Sequence, residues 1–176
     1  MKIRTSYVSN SSSSSFVLYS SDNLSKVADD LYEFVIKNLP EYYEDTDPAQ
    51  VREAIDNAVK RSASRGTIEL YVRNSLCYAL MHYYWYTCES DSKASFIYWA
   101  HRCPIKITKQ LLKLAKTGDY YDAACALAKQ WVEDHPDARV LEFYSDGGSR
   151  AEAVVRWCLD MFSSVNTSIG FFADNS

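Results

Sequence analysis

The chain has 176 residues, 47% hydrophobic and 24% charged, with a net charge of −4. That length suits one domain, and five glycines and four prolines leave little material for long irregular stretches. The acidic balance argues against wholesale nucleic-acid binding, and no apolar run reaches the roughly 20 residues of a membrane helix.

The chain starts MKIRTSYVSNSSSSSFVLYS. A polar serine run stands where a secretory leader would be apolar, so no leader is expected. Residues 1–15 read as a serine-rich segment, and 16–176 as a globular domain. Phe16-Val17-Leu18-Tyr19 is β-branched and aromatic, which predicts a short strand. The first 17 residues resemble the N-terminal signature MKIR-x-GFVSNSSSSSF of tailed-phage and bacterial proteins. They depart from it at Ser6 and Tyr7, where Gly-Phe is usual. Since that signature precedes unrelated bodies, the resemblance implies a phage or prophage source rather than an activity.

Leu24, Val27, Ala28, Leu31, Val35 and Leu39 recur at three- and four-residue steps, predicting a helix over 24–39 capped by Asp22 or Asn23. An acidic loop follows. Asp47-Pro48 then starts a second helix with Val51, Ala54, Ile55, Ala58 and Val59 inward and Gly66 as its stop. A longer helix is expected over 68–87, although Ile68 to Val72 also suits a strand. Short helices are expected over 93–102 and 108–116, the second closed by Gly118. Asp119 is expected to open another, running to Pro136. This last pair loosely resembles one tetratricopeptide-type hairpin, without a second copy.

Val140 to Tyr144 is strand-like, and Ser149-Arg150-Ala151-Glu152 is a capping box before a helix carrying Val154, Val155, Cys158, Met161 and Phe162. Thr167 to Phe172 returns to strand character. The fold class expected is therefore α+β and helix-rich. It has about six to seven helices and a small sheet of N- and C-terminal strands, the last two in a βαβ unit, with helices on one side.

Charge segregation is the clearest functional feature. Between Ser92 and Gly118 there is no acidic residue, while Lys93, Arg102, Lys106, Lys109, Lys113 and Lys116 are basic. Lys109, Lys113 and Lys116 share one helix face, suited to an acidic protein surface or to phosphates, although a merely solvated face is the plainer reading. Aromatic density is the second feature. Tyr83, Tyr84, Trp85 and Tyr86 are consecutive, with Tyr71, Tyr78, Tyr98 and Trp99 nearby. Four successive positions point all round a helix, so a ring must leave the core, and Trp85 and Tyr86 are the contact candidates beside the basic residues. A thick aromatic core is the alternative.

The turn Gly147-Gly148-Ser149-Arg150 offers backbone N–H groups and a guanidinium to an anion, but matches no phosphate-binding fingerprint. Cys77, His82, Cys88, His101 and Cys103 lie close in sequence without the paired spacing of a zinc site, so no metal or cofactor is expected. Cys103 with His101 would be the most plausible nucleophile pair. The five widely spaced cysteines (the others are Cys125 and Cys158) read as reduced structural thiols in a cytoplasmic protein.

Three functions are compatible with these residues. One is a non-enzymatic protein binding a host or phage macromolecule, a protein first and nucleic acid second, with no membrane. The others are an enzyme or sensor of a phosphate-bearing small molecule at 146–150, and a minor virion or assembly component.

Overall fold

The computed structural model describes residues 14–20, 23–39, 43–61, 65–88, 93–144, 149–165 and 169–175. Within them the chain is helix-rich. Strand β1 (Ser14–Ser20) leads into α1 (Leu24–Lys37) and α2 (Pro48–Lys60), followed by α3 (Arg65–Cys88) and α4 (Lys93–Arg102). Then come α5 (Lys109–Thr117), α6 (Tyr121–Asp134), β2 (Arg139–Tyr144), α7 (Arg150–Val165) and β3 (Ile169–Asn175). No helix among the described residues is long and apolar enough to cross a membrane. The N-terminal signature over 1–13 and the glycines of the 146–148 turn lie outside the described residues.

The helices form where apolar residues recur on one face and a side chain satisfies the first free amides. Asn23 caps α1 by accepting from Ser25 N–H at 2.9 Å, and Val27, Ala28, Leu31 and Val35 are buried. Asp47 caps α2 in the same way through Ala49 N–H at 2.9 Å, with Pro48 at the first helical position, where its missing donor costs nothing.

Several boundaries differ from expectation. Gly66 does not end α2; it sits in the first turn of α3. The second helix stops at Lys60, one residue beyond the end of its apolar stripe. Ile68 and Val72, four residues apart and both buried, belong to α3 and not to a strand. Asp119 closes α5 instead of opening α6. Its N–H returns to Leu114 O at 3.2 Å and that of Gly118 to Ala115 O at 3.2 Å, a Schellman closure with Gly118 at φ +81°. Helix α6 accordingly starts with no side-chain cap.

The three strands pair in the order β2-β1-β3, both pairings antiparallel, with Phe16 opposite Phe143 on one side and Ala173 on the other. Strands β2 and β3 are therefore parallel but separated by β1, so α7 crosses over a strand and the unit is a split βαβ. Nor do helices cover one side only. Leu141 and Phe143 of β2 pack with α1, α2 and α7, while Val140 packs with Ile68 and Val72 of α3 and Ala128 and Val132 of α6. On that second side Tyr71 Oη donates to Glu142 Oε1 at 2.8 Å. Alternating residues of a strand point to opposite faces, and here both faces of β2 carry apolar residues.

A third apolar cluster lies farther along α3. Leu76 and Leu80 meet Leu111 and Ala115 of α5 and Ala124 of α6. It holds α5 in place, leaving its opposite face to solvent.

Candidate functional site

Helix α5 is short, and its ends are fixed by its own residues. Thr108 Oγ1 accepts from Leu111 N–H at 3.3 Å, and Gly118 closes the far end. With Leu111 and Ala115 buried, the 3.6-residue period turns Lys109, Lys113 and Lys116 outward, and all three are exposed, as is Lys106 just before the helix. Among the described residues no carboxylate forms an ion pair with any of these four lysines. Lys26, Arg52, Arg61, Arg102 and Arg150 have acidic partners, while exposed Lys37, Lys60, Lys93 and Lys129 have none among the described residues. What sets the four apart is their clustering in a stretch without a carboxylate.

Beside this face runs an apolar groove of about 350 Å³. Its walls are Phe96, Ile97 and Ala100 of α4, Ile105 and Ile107 of the connecting segment, and Leu112 of α5. Lys106, His101 and Cys103 also line it. Ile97 is 42% exposed, a large apolar side chain left in water. Phe96 is anchored from behind by Tyr83 of α3, with ring centroids 5.0 Å apart. On the surface of α5, Leu112 lies between Lys109, three residues before, and Lys116, four after, so the groove wall and the lysine face adjoin. The groove residues were missed in the sequence. The available signal was Phe96-Ile97 on a helix otherwise too short for two buried faces, and isoleucines on either side of Lys106.

Arg102 does not stand with the lysines. Its guanidinium pairs with Asp160 of α7, donates to Tyr98 O at 2.8 Å and lies 3.3 Å from the Tyr98 ring centroid. With its side chain only 11% exposed, it fastens α4 to α7. Trp85 and Tyr86 are placed differently from each other. Tyr78, His82 and Trp85 share one face of α3, where Trp99 of α4 stacks on Tyr78 at 5.2 Å and on His82 at 5.9 Å. Trp85 meets His82 edge-on at 5.1 Å. Most of the aromatic density is thus glue between α3 and α4. Tyr86 is the exposed ring of the four.

At the other candidate site, Ser149 Oγ caps α7 by accepting from Glu152 N–H at 3.2 Å. The Glu152 carboxylate pairs with Arg61 at 3.0 Å. Arg150 is paired with Asp45. A polar cavity of about 350 Å³ adjoins this turn, lined by Glu53, Glu152 and Arg61, whose guanidinium is already paired with Glu152.

All five cysteines are free. Burial pushes the Cys103 thiol up to about 12, and burial likewise raises Cys77 and Cys158 to about 11. Cys103 is therefore a thiol, not a thiolate, at neutral pH, and exposed His101 forms no hydrogen bond with it. Among the described residues no three His, Cys, Asp or Glu side chains converge in a way that would hold a metal ion. Compared with known proteins, the chain matches no family model, no curated protein and no solved structure.

Proposed function

We propose that this chain is a non-catalytic binding protein that engages an acidic macromolecule, a protein first, through the exposed lysines of α5 and the segment before it. One observation carries the reading: Lys106, Lys109, Lys113 and Lys116 are exposed together in a stretch, Ser92 to Gly118, that holds no acidic residue, on a chain whose net charge is −4. A local basic face on an acidic molecule attracts an acidic partner in one orientation, because the rest of the surface repels it. The fixed ends of α5 favour the same use, since a rigid helix presents its charges at low entropic cost. The phage-type N-terminal signature suggests a host or phage component as the partner, met in the host cytoplasm.

The test is capture of partners from host lysate by wild type and by the triple variant Lys109→Glu, Lys113→Glu, Lys116→Glu. Partners identified with wild type should be lost with the variant and should weaken as salt rises, while the melting temperature stays within a few degrees. An identical set of partners from both proteins would leave the lysines as solvated surface.

A further inference from the structure

Resting on that reading, we infer that the groove between α4 and α5 receives a short acidic amphipathic helix of the partner. Such a helix would seat its apolar residues on Phe96, Ile97, Ile107 and Leu112 and set its carboxylates against Lys106, Lys109 and Lys116.

The shape and the charge point to the same occupant. A volume of about 350 Å³ is at the low end of ligand pockets, enough for about two apolar side chains rather than a folded surface. Anchors of that number, one turn apart, are how a helix lies in a groove. The wall is apolar and partly open, with Ile97 42% exposed, while its neighbours along α5 are cations. No acidic residue occurs between Ser92 and Gly118, so an incoming carboxylate meets no like charge from α4, the connection or α5. A basic or purely apolar segment would leave these lysines without counter-charge. A second copy of this chain is a poor occupant: its acidic amphipathic helices, α1 and α6, already have their apolar faces buried in the core.

The experiment selects binders to the full chain from a library of randomised 14-residue peptides. It then measures the strongest peptide by fluorescence anisotropy against wild type, Ile97→Ser and the triple lysine-to-glutamate variant. Poly-L-glutamate serves as a probe of charge alone. Ile97 is exposed enough for Ile97→Ser to fold, and its melting temperature checks this. Selected peptides should carry two apolar residues at i and i+3 or i+4 flanked by Asp or Glu. Their affinity should fall about tenfold or more in Ile97→Ser, while poly-L-glutamate binds that variant as it binds wild type. A selection that yields no binder, yields binders without acidic residues, or yields peptides indifferent to Ile97→Ser overturns the groove inference and leaves the basic-face reading standing. Poly-L-glutamate binding that survives the triple variant overturns the basic-face reading instead.

Discussion

At the level of single residues, environment and not identity decides which side chains are available. The five cysteines show it. Cys88 is exposed, Cys158 is fully buried, and Cys77, Cys103 and Cys125 lie between. Burial holds Cys77, Cys103 and Cys158 in the neutral form at pH 8, so alkylation there should modify Cys88 first and Cys158 only on unfolding. The same burial has a thermodynamic consequence. These thiols ionise near 9 in the unfolded chain and at about 11 to 12 in the folded one, so the folded state retains protons that the unfolded state releases. The contribution of these thiols should therefore be constant below pH 9, and stability in urea melts should fall as pH rises from 9 towards 11. Prior labelling of Cys158 in the native protein, or a rise in stability over that interval, would show the thiol environments to be otherwise. The lysines of α5 were legible by charge alone. Arg102 was not, because its partner Asp160 lies 58 residues away and only the folded chain brings them together.

At the level of elements, apolar periodicity was the strongest signal. The stripes of α1, α2 and α7 were readable because each buries one face in a single core cluster. Boundaries were read less well wherever one residue could serve two neighbours. Gly118 and Asp119 show the competition: the backbone of both closes α5, which leaves α6 without a side-chain cap. Gly66 and Gly118 should respond oppositely to alanine. Gly118→Ala forces a Cβ into the left-handed region at φ +81° and should cost about 1 kcal/mol. Gly66→Ala, inside a helix with open space around the new methyl, should be neutral or stabilising by up to about 0.5 kcal/mol. Denaturant midpoints of the two variants measure this, and equal losses would contradict the assignment of Gly66 to α3.

The α3–α4 aromatic layer belongs to the same scale. A run of four aromatics states that some ring must leave the core, but not which helix takes the others. Trp99 decides that, and it lies on the next helix. The groove escaped sequence reading for a similar reason: its walls come from two helices and the connection between them, and no periodicity spans such a junction.

At the level of the whole molecule, the sheet is the divider. Strand β2 has one face on the cluster of α1, α2 and α7 and the other on that of α3 and α6. The alternation that would have revealed a sheet covered on one side was absent in Val140-Leu141, where both residues are buried. A near-continuous apolar strand of this kind is the sequence mark of burial on both faces. Charge follows the same division in part. Asp29, Asp30 and Glu33 lie on α1, whereas the run of residues from Ser92 to Gly118 that holds α4 and α5 carries no carboxylate and clusters Lys106, Lys109, Lys113 and Lys116. An acidic ligand should therefore approach from the α5 side.

Chemical-shift mapping tests this most directly, by titrating poly-L-glutamate into the isotope-labelled full chain at low salt. Backbone amide shifts should concentrate between residues 96 and 116, reverse on adding salt, and vanish in the Lys109→Glu, Lys113→Glu, Lys116→Glu variant. Shifts centred on Ser149 and Arg150, or spread evenly over the molecule, would contradict the account.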